Sequence, residues 1–351
     1  MNNKILFVLN HAPHYRELFL RKFGEQVNLT VFAKPCSSAN LIEPQNRKNY
    51  KYFESFSNHL FSKIGFQVNF LEWKLLRKSW DKVILSWDLH HIFRYLFFIF
   101  TGNKKNIFWM GHIYGSSNSK LIKFTRKYFL NHSGGVLTYS NEIVEKLKVD
   151  GINAPLFSFN NSEVSISDIH ACPFDFIQNK IKLLYVGRFQ KRKRLERLIQ
   201  LAKINPNVII HIAGNGVKEL LNIYPEIESI PNVELFGEIL NDELKKQMEW
   251  CDMIVNPGHL GLLVVNGARF GRPILVDNSS QHAPEVIVAK EAEQFFVDWT
   301  DIKAVDNLVE KLIENRELIQ EASQRIVEIV KLKYTVEYMV QIYVRAIKTV
   351  K

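Results

Sequence analysis

Cysteine and long apolar runs are both scarce in this chain. Its 351 residues include three cysteines, which are widely spaced and form no CxxC pair. We therefore expect no disulfide framework and no zinc site, and a reducing compartment is the simpler expectation. The longest apolar block, residues 95–100, is much shorter than the ~20 residues of a membrane span, and the run at 4–9 is too short for a signal peptide. These features predict a soluble or peripheral cytoplasmic protein.

Acidic residues are scarce in the first half. Residues 1–150 contain 22 Lys and Arg against 10 Asp and Glu, whereas the remainder is close to neutral. Some of the basic residues recur every three to four positions beside aromatic residues, which predicts one cationic helix face. Such a face favours an anionic membrane surface or is simply solvated. We expect no nucleic-acid partner, because no recognised nucleic-acid module occurs. The basic positions are Lys120, Lys123, Arg126 and Lys127.

Short apolar segments alternate with helical segments along the whole chain, and 46% of the residues are apolar. This pattern predicts an α/β protein with parallel sheets covered on both faces. We predict two Rossmann-like domains, at 1–165 and 166–333, with a cleft between them. A terminal helix at 334–351 has one apolar face and could pack back on the first domain. Strands are predicted at 5–9, 29–32, 83–86, 107–110, 135–139, 155–159, 181–187, 208–213, 233–236, 253–255, 274–276 and 295–297. Helices are predicted at 17–23, 66–78, 89–100, 120–130, 141–149, 196–202, 217–224, 242–250, 262–270 and 302–315.

The stretch 253–285 combines a strand, a glycine-bearing loop, a helix and a second strand. Pro257 and Gly258 end the first strand, and Gly261 permits a close backbone approach. In open α/β sheets, ligands bind at the carboxyl ends of the strands, and helix amino termini there attract anions such as phosphate. The stretch therefore predicts a phosphate site. The alternative is an ordinary βαβ unit whose glycines serve only the turns.

Five cationic side chains occur within seven residues, from Arg188 to Arg194, directly after the strand predicted at 181–187. An Arg and a Lys at such a position can hold a diphosphate, the Arg in a bidentate manner and the Lys as a point charge. A solvated basic turn is the alternative interpretation.

Several motifs together resemble one known family. They are Gly187-Arg188 followed by Lys193, then IAGNG at 212–216, VELFGE at 233–238 and CDMIVNP at 251–257. In this order they resemble the carboxyl domain of the retaining, family 4-like glycosyltransferases with the GT-B fold, over about residues 181–285. The resemblance implies transfer of a sugar from a nucleoside-diphosphate sugar in the interdomain cleft, without a metal ion or other cofactor.

The resemblance also implies roles for individual residues. Arg188 and Lys193 match the pair that holds the donor diphosphate, and we place them with His112 in the predicted catalytic set. The predicted donor-binding residues are Gly187, Arg188, Lys193, Gly214, Ile239, His259, Gly261, Leu262, Asn266 and Glu285.

Acceptor recognition is assigned to the first domain by the same resemblance. His112 follows the strand at 107–110, where family members often keep a histidine near the reacting sugar; a capped structural histidine is the alternative. The predicted acceptor-binding residues are His11, His14, Arg16 and His112. We predict no metal ligands, because neighbouring His90 and His91 do not share a helix face and no Asp-x-Asp triplet occurs.

One departure from the family concerns two glutamates, eight residues apart, that members typically carry. Gly258 and Asn266 occupy those positions here. Asn266 could still bond a hydroxyl, and His259 or Glu285 could compensate for the first glutamate. The segments PGHLGL at 257–262 and QHAPE at 281–285 resemble a subset of bacterial surface-polysaccharide transferases, so we interpret the change as a subgroup trait.

The combined prediction is a metal-independent, hexosyltransferase-type enzyme of bacterial lipopolysaccharide or capsule synthesis. No side chain is an obvious nucleophile, which favours front-face substitution. The acceptor is expected to be a glycan or a lipid-linked sugar, at the inner face of the cytoplasmic membrane. Two alternatives remain at this point: a non-catalytic partner subunit, which the two missing glutamates suggest, and a nucleotide-sugar epimerase, which shares the twin-Rossmann architecture.

Overall fold

The computed structural model describes residues 3–39, 41–60, 65–115 and 119–349. The chain divides into two compact units. Unit 1 comprises Met1–Glu163 and Val336–Lys351, and unit 2 comprises Val164–Thr335. The predicted boundaries, after residues 165 and 333, differ from these by two residues each.

The regular elements are numbered in chain order. The strands are β1 (Lys4–His11), β2 (Asn28–Lys34), β3 (Tyr50–Glu54), β4 (Asn58–Leu60), β5 (Phe66–Val68), β6 (Lys82–Ser86), β7 (Ile107–Met110), β8 (Gly135–Thr138), β9 (Leu156–Ser158), β10 (Ile181–Val186), β11 (Val208–Ala213), β12 (Val233–Phe236), β13 (Met253–Asn256), β14 (Ile274–Asp277) and β15 (Phe295–Val297). The α-helices are α1 (Glu17–Gln26), α2 (Phe70–Leu76), α3 (Ile92–Phe100), α4 (Lys120–His132), α5 (Asn141–Val149), α6 (Glu196–Ile204), α7 (Val217–Ile223), α8 (Asn241–Trp250), α9 (Leu263–Ala268), α10 (Val286–Glu291), α11 (Ile302–Glu314), α12 (Arg316–Lys333) and α13 (Val336–Thr349).

Each unit is built on one parallel sheet, as the alternating pattern predicts. The strand order is β3-β2-β1-β6-β7-β8-β9 in unit 1 and β12-β11-β10-β13-β14-β15 in unit 2. The second order is that of a Rossmann sheet. The direction of strand addition reverses between β1 and β6 in the first sheet and between β10 and β13 in the second. These switch points are where open α/β sheets bind their ligands.

The terminal helix α13 belongs to unit 1, where it packs against α1. Its Tyr343 is fully buried, and the ring centroid lies 5.7 Å from that of Phe7, 4.8 Å from Phe19 and 5.6 Å from Phe23. The apolar face expected for this helix thus completes the core that lies on one side of the first sheet.

The helix prediction at 66–78 is wrong in its first part. Phe66–Val68 forms β5, which pairs antiparallel with β4. Helix α2 begins only after Asn69, whose side chain accepts a hydrogen bond from the Glu72 N–H at 3.0 Å. This N-cap satisfies an amide at the helix start and thereby sets the boundary.

The cationic face predicted on α4 is also partly wrong. Arg126 is buried. Its guanidinium lies 3.2 Å from the Asp150 carboxylate and 4.3 Å from the centroid of the Tyr114 ring. Only Lys120, Lys123 and Lys127 remain exposed among the predicted basic positions.

Candidate functional site

Two loops meet at the switch point of the second sheet. One follows β10 and contains Arg188 and a one-turn 3₁₀ helix, Lys191–Lys193. The other follows β13 and contains Gly258 and Gly261. Strands β10 and β13 are adjacent and parallel, so their carboxyl ends present both loops at the same edge. The topology thus brings together the two segments that the sequence linked to phosphate binding.

The backbones of these two loops are hydrogen-bonded to each other. The His259 N–H donates to the Arg192 carbonyl at 3.0 Å, and Lys193 Nζ donates to the His259 carbonyl at 2.6 Å. A Cβ atom added at Gly258 would lie 2.5 Å from the Arg192 carbonyl oxygen and 2.8 Å from that of Lys193. Such distances leave no room for a side chain. The glycine that replaces the expected glutamate is therefore required by the close approach of the two loops.

The cations of this site are not neutralised by carboxylates. Within the described part of the chain, the exposed Arg188 guanidinium makes no hydrogen bond or ion pair, and Lys193 Nζ bonds only to a carbonyl. Burial, together with the charges of Arg192 and Arg188, lowers the pKa of Lys193 to about 8. Arg188 and Lys193 both lie in the loop that follows β10.

Backbone amides add further donors. The N–H groups of Gly261, Leu262 and Leu263 make no hydrogen bond to any described residue, and all three residues are partly exposed. Helix α9 begins at Leu263 and ends at Ala268, so it is shorter than predicted. The open amides together with Arg188 and Lys193 form what we call the cationic loop site.

The loop after β11, which contains Gly214, is held against the loop after β10 by a second close approach. A Cβ atom at Gly214 would lie 1.9 Å from the Gly187 carbonyl oxygen, so position 214 also requires glycine. The Gly214 N–H donates to the Gly237 carbonyl at 3.0 Å. The loops after β10, β11 and β12 are thereby connected, and Ile239 is buried just beyond the last of them.

Arg197 was not predicted as a site residue. Its Nη1 donates to the Pro257 carbonyl and to Asp277 Oδ2, both at 2.7 Å. Burial opposes ionisation of Asp277, but hydrogen bonds from Ser280, the Trp299 N–H, Arg197 and Ser279 outweigh it and lower its pKa to about 2. Arg197 therefore connects the loop after β13 to an ionised carboxylate on the last residue of β14. Only long-range contacts identify this role, since no sequence motif marks Arg197.

His282 holds the same loop from the other side. The Leu260 N–H donates to His282 Nδ1 at 3.1 Å, so Nδ1 carries no proton, and Nε2 donates to the Asp277 carbonyl at 2.7 Å. His259 Nδ1 lies 2.7 Å from the Gln281 carbonyl oxygen. The QHAPE segment thus positions the loop after β13 through its backbone and through His282.

Two predicted donor-binding residues lie on or just before the helices that follow β13 and β14. Asn266 is half-buried within α9, and the buried Glu285 immediately precedes α10. Their roles stay predictions.

Unit 1 contains its own cavity, of about 660 Å³, at the carboxyl edge of the first sheet. His11, Arg16 and His112 line it, whereas His14 lies outside the lining. The ring of His112 stacks on that of Tyr139 at 4.2 Å between centroids, and the Tyr139 hydroxyl accepts a hydrogen bond from Arg16 Nη2 at 2.7 Å. Three of the four residues predicted to bind the acceptor are thus brought together, and their role stays a prediction.

No group of three or more His, Cys, Asp or Glu residues within the described ranges is arranged to hold a metal ion.

Comparison with known proteins agrees with this architecture. A family model described as glycosyl transferases group 1 matches residues 173–329. The matched residues lie within unit 2 and include the cationic loop site, which confirms the predicted resemblance.

Solved structures extend the similarity to the fold of the whole chain. A glycosyltransferase from Rickettsia africae is 12% identical, with a TM-score of 0.74 and coverage of 99% of this chain and 98% of that one. Anabaena HepE, in complex with UDP-glucose, is 13% identical, with a TM-score of 0.67 and coverage of 99% and 100%. The predicted α/β, GT-B class is confirmed.

A curated relative matches over a shorter stretch. It is an uncharacterised 41.2 kDa protein in the cps region of Klebsiella pneumoniae, 28% identical over 133 residues. The match covers 36% of this chain and 36% of that protein.

The requirement for glycine at position 258 can be tested directly. In Gly258→Ala the added Cβ would force the two loops apart, so we expect the free energy of unfolding to fall by about 1–3 kcal/mol. Chemical denaturation measures this change. The control is Gly102→Ala, since a Cβ there meets no heavy atom within 4 Å. Equal stability of Gly258→Ala and the control would refute the close approach.

The neutral state of His282 predicts a dependence on pH. Burial lowers the pKa of His282 below its ordinary value, despite hydrogen bonding to Asp277. Its contribution to stability is therefore complete above the unfolded pKa of about 6.5 and is lost as the pH falls from there towards the folded pKa. Urea unfolding of the parent and of His282→Asn, compared from about pH 8 to about pH 5, should show a flatter profile for the variant. The other histidines are present in both proteins, so parallel profiles would contradict this role of His282.

Proposed function

We propose that this protein is a retaining glycosyltransferase that transfers a hexose from a nucleoside-diphosphate sugar. The observation that carries the proposal is the cationic loop site, in which Arg188 and Lys193 lie at a Rossmann switch point without carboxylate partners. Departure of a nucleoside diphosphate builds negative charge on its phosphates. Fixed cations and oriented amides stabilise that charge without reorganising during the reaction.

The cations also bear on the mechanism. Arg188 and Lys193 would supply the positive charge that a divalent ion provides in other sites, which supports a metal-independent reaction. In our proposal the leaving phosphate accepts the proton of the acceptor hydroxyl, and substitution occurs on the face that the phosphate leaves. The anomeric configuration is then retained.

The biological setting is inferred from the relatives. The Klebsiella protein is encoded in a cps region, which supports synthesis of a surface polysaccharide. The Anabaena neighbour was solved with UDP-glucose, which makes UDP the first nucleotide to test.

The diphosphate role of Arg188 predicts a specific loss of binding. UDP, GDP, TDP and CMP are compared by thermal shift. We expect one nucleoside diphosphate to stabilise the folded parent protein, by about 2.7 kcal/mol at a hundredfold excess over Kd. Arg188→Ala should weaken that binding roughly 10- to 150-fold, because hydrogen bonds to charged groups contribute about 1.5–3 kcal/mol.

The matched control is Lys191→Ala, which removes an exposed cation from the same loop. Its binding should stay within a few-fold of the parent. The proposal fails if none of the nucleotides stabilises the parent, or if the two variants bind equally.

We further propose that helix α4 docks on the inner face of the cytoplasmic membrane. None of the helices in the described ranges has the length and hydropathy that crossing a bilayer requires. Leu121 and Phe124 on α4 are nevertheless 74% and 70% exposed, beside the exposed Lys120, Lys123 and Lys127. Apolar side chains beside cations suit the interface of an anionic membrane, where each basic residue contributes about 1 kcal/mol.

The position of this helix supports a lipid-linked acceptor. Ile122 of α4 lines the cavity of unit 1. A membrane bound at the exposed face of α4 would therefore lie beside that cavity.

Vesicle sedimentation tests the docking face. We expect binding to phosphatidylcholine vesicles that contain phosphatidylglycerol and little binding without it. Lys123→Glu should weaken binding by roughly tenfold or more, since it both removes and reverses a charge near the surface. Lys218→Glu, the same change at an exposed site in unit 2, should bind like the parent. Equal binding by both variants would exclude α4 as the docking face.

A further inference from the structure

Two sets of contacts that fix the loop after β13 converge on one residue. Asp277 is the last residue of β14, and its side chain is fully buried. Its carboxylate is connected to this loop through Arg197, and its backbone carbonyl is connected to it through His282. The two routes leave from different atoms of Asp277 and end at Pro257 and Leu260.

The first route depends on the geometry of one guanidinium nitrogen. Arg197 Nη1 carries two hydrogens in the plane of the guanidinium, and it lies 2.7 Å from both Asp277 Oδ2 and the Pro257 carbonyl oxygen. Because one hydrogen is directed at the carboxylate, the other is directed at the carbonyl. The side chain of Arg197 is only 14% exposed, so little water competes for either bond. The position of Asp277 therefore sets where the Pro257 carbonyl is held.

The carboxylate of Asp277 is itself fixed in orientation. Its Oδ1 accepts hydrogen bonds from the Trp299 N–H at 3.1 Å and from the Ser279 N–H at 3.3 Å. Its Oδ2 accepts from Arg197 and from the Ser280 hydroxyl. Arg197 and the two backbone amides can only donate, so both oxygens must be acceptors. An amide side chain of the same shape would place a donor against a donor at one of these positions.

The second route uses the backbone of Asp277. Its carbonyl accepts from His282 Nε2 at 2.7 Å, and His282 Nδ1 accepts from the Leu260 N–H at 3.1 Å. The Leu260 carbonyl also accepts from the Ala283 N–H at 2.9 Å. The open amides of the cationic loop site begin at the next residue, Gly261, so the contacts that fix Leu260 also fix where these amides start.

The Arg197–Asp277 pair is explained better by orientation than by stability. Apolar side chains of similar volume in place of a buried ion pair often give an equally stable or a more stable protein, because removing charges from water is costly. An arginine–carboxylate contact, however, has a directional requirement that apolar side chains lack. What this pair supplies is therefore a defined direction for the bond to Pro257.

We propose that Asp277 is the positioning residue of the loop after β13. Its carboxylate holds Pro257 through Arg197, and its carbonyl holds Leu260 through His282. The loop and its open amides are thereby kept in place before any ligand binds. The consequence for the donor rests on the proposed function, because the diphosphate is the ligand that these amides would bind.

Hydrogen exchange of single amides, measured by NMR on the full-length protein without ligand, tests the positioning. Asp277→Asn interrupts the first route, so we expect the His259 N–H, which donates to the Arg192 carbonyl, to exchange roughly tenfold faster. His282→Asn interrupts the second route, and the Leu260 N–H should exchange faster by roughly the same factor. Unchanged exchange at either amide in its variant would overturn the inference.

Asp252→Asn is the matched control. Asp252 is another fully buried carboxylate of unit 2, and it accepts from the Lys182 N–H at 2.8 Å. It directly precedes β13, so it lies at the opposite end of that strand from the loop. Both variants should lose stability, whereas only Asp277→Asn should speed exchange at His259. Equal acceleration in both would show a general loosening and would overturn the inference.

Arg197→Met gives an independent check, since it removes the donors of the first route and keeps the apolar stem. Exchange at His259 should be about as fast as in Asp277→Asn, and this variant decides the question if Asp277→Asn does not fold. The double variant should exchange no faster than the faster single variant, because both changes interrupt one route. Effects that multiply would show that the two residues act separately and would contradict the route.

Nucleotide binding separates this inference from the proposed function. Titration calorimetry uses the nucleotide that stabilises the parent, with UDP tested first. Asp277→Asn should bind it roughly tenfold more weakly, because preorganised donors are lost, and Asp252→Asn should bind like the parent. Equal affinity of Asp277→Asn and the parent would overturn the link to the diphosphate. A parent that binds no nucleotide would refute the proposed donor, while hydrogen exchange would still decide the positioning.

Discussion

The contact between Gly258 and the turn Lys191–Lys193 constrains the whole cationic loop site. The two backbones are too close for any side chain at position 258, and Lys193 is held by the carbonyl of the next residue, His259. Arg197 and His282 fix the same loop from two other elements. Lys193 and the open amides are therefore positioned before any ligand binds, and such preorganisation is what electrostatic stabilisation of a leaving group requires.

The two units use one topology to present different sets of charged groups. Both sheets reverse their strand order beside the first strand of the unit, and both place polar loops at that point. In unit 2 the free charges are Arg188 and Lys193, which suit an anionic diphosphate. In unit 1 the cavity at this point is lined by Asp88 and also by Arg16, so charged groups of both signs face it. A shared fold thus offers two sites whose chemistry depends on a few loop residues.

The sequence predicted the central strands and most helices because their local signals are strong. Runs of Val, Ile and Leu mark strands that are buried on both faces, and all six strands of the second sheet were found. The edge strand β3, Tyr50–Glu54, was missed because it is largely exposed and carries Lys and Glu. Helix α12 was missed although Ile319, Ile326 and Val330 occur at helical spacing, since charged residues surround them. Strand β5 was assigned to a helix because three residues carry no reliable periodicity.

The sequence by itself determined the fold class, the family resemblance of unit 2 and the basic turn that follows β10. These follow from local apolar patterns and from motifs whose order along the chain is distinctive. Only the tertiary structure decided why position 258 is glycine, how Arg197 connects to Asp277, that Arg126 is buried and that Asp88 faces a cavity. Each of these depends on atoms that are far apart in the chain and become neighbours only when the strands pair, so no short window of residues contains the information.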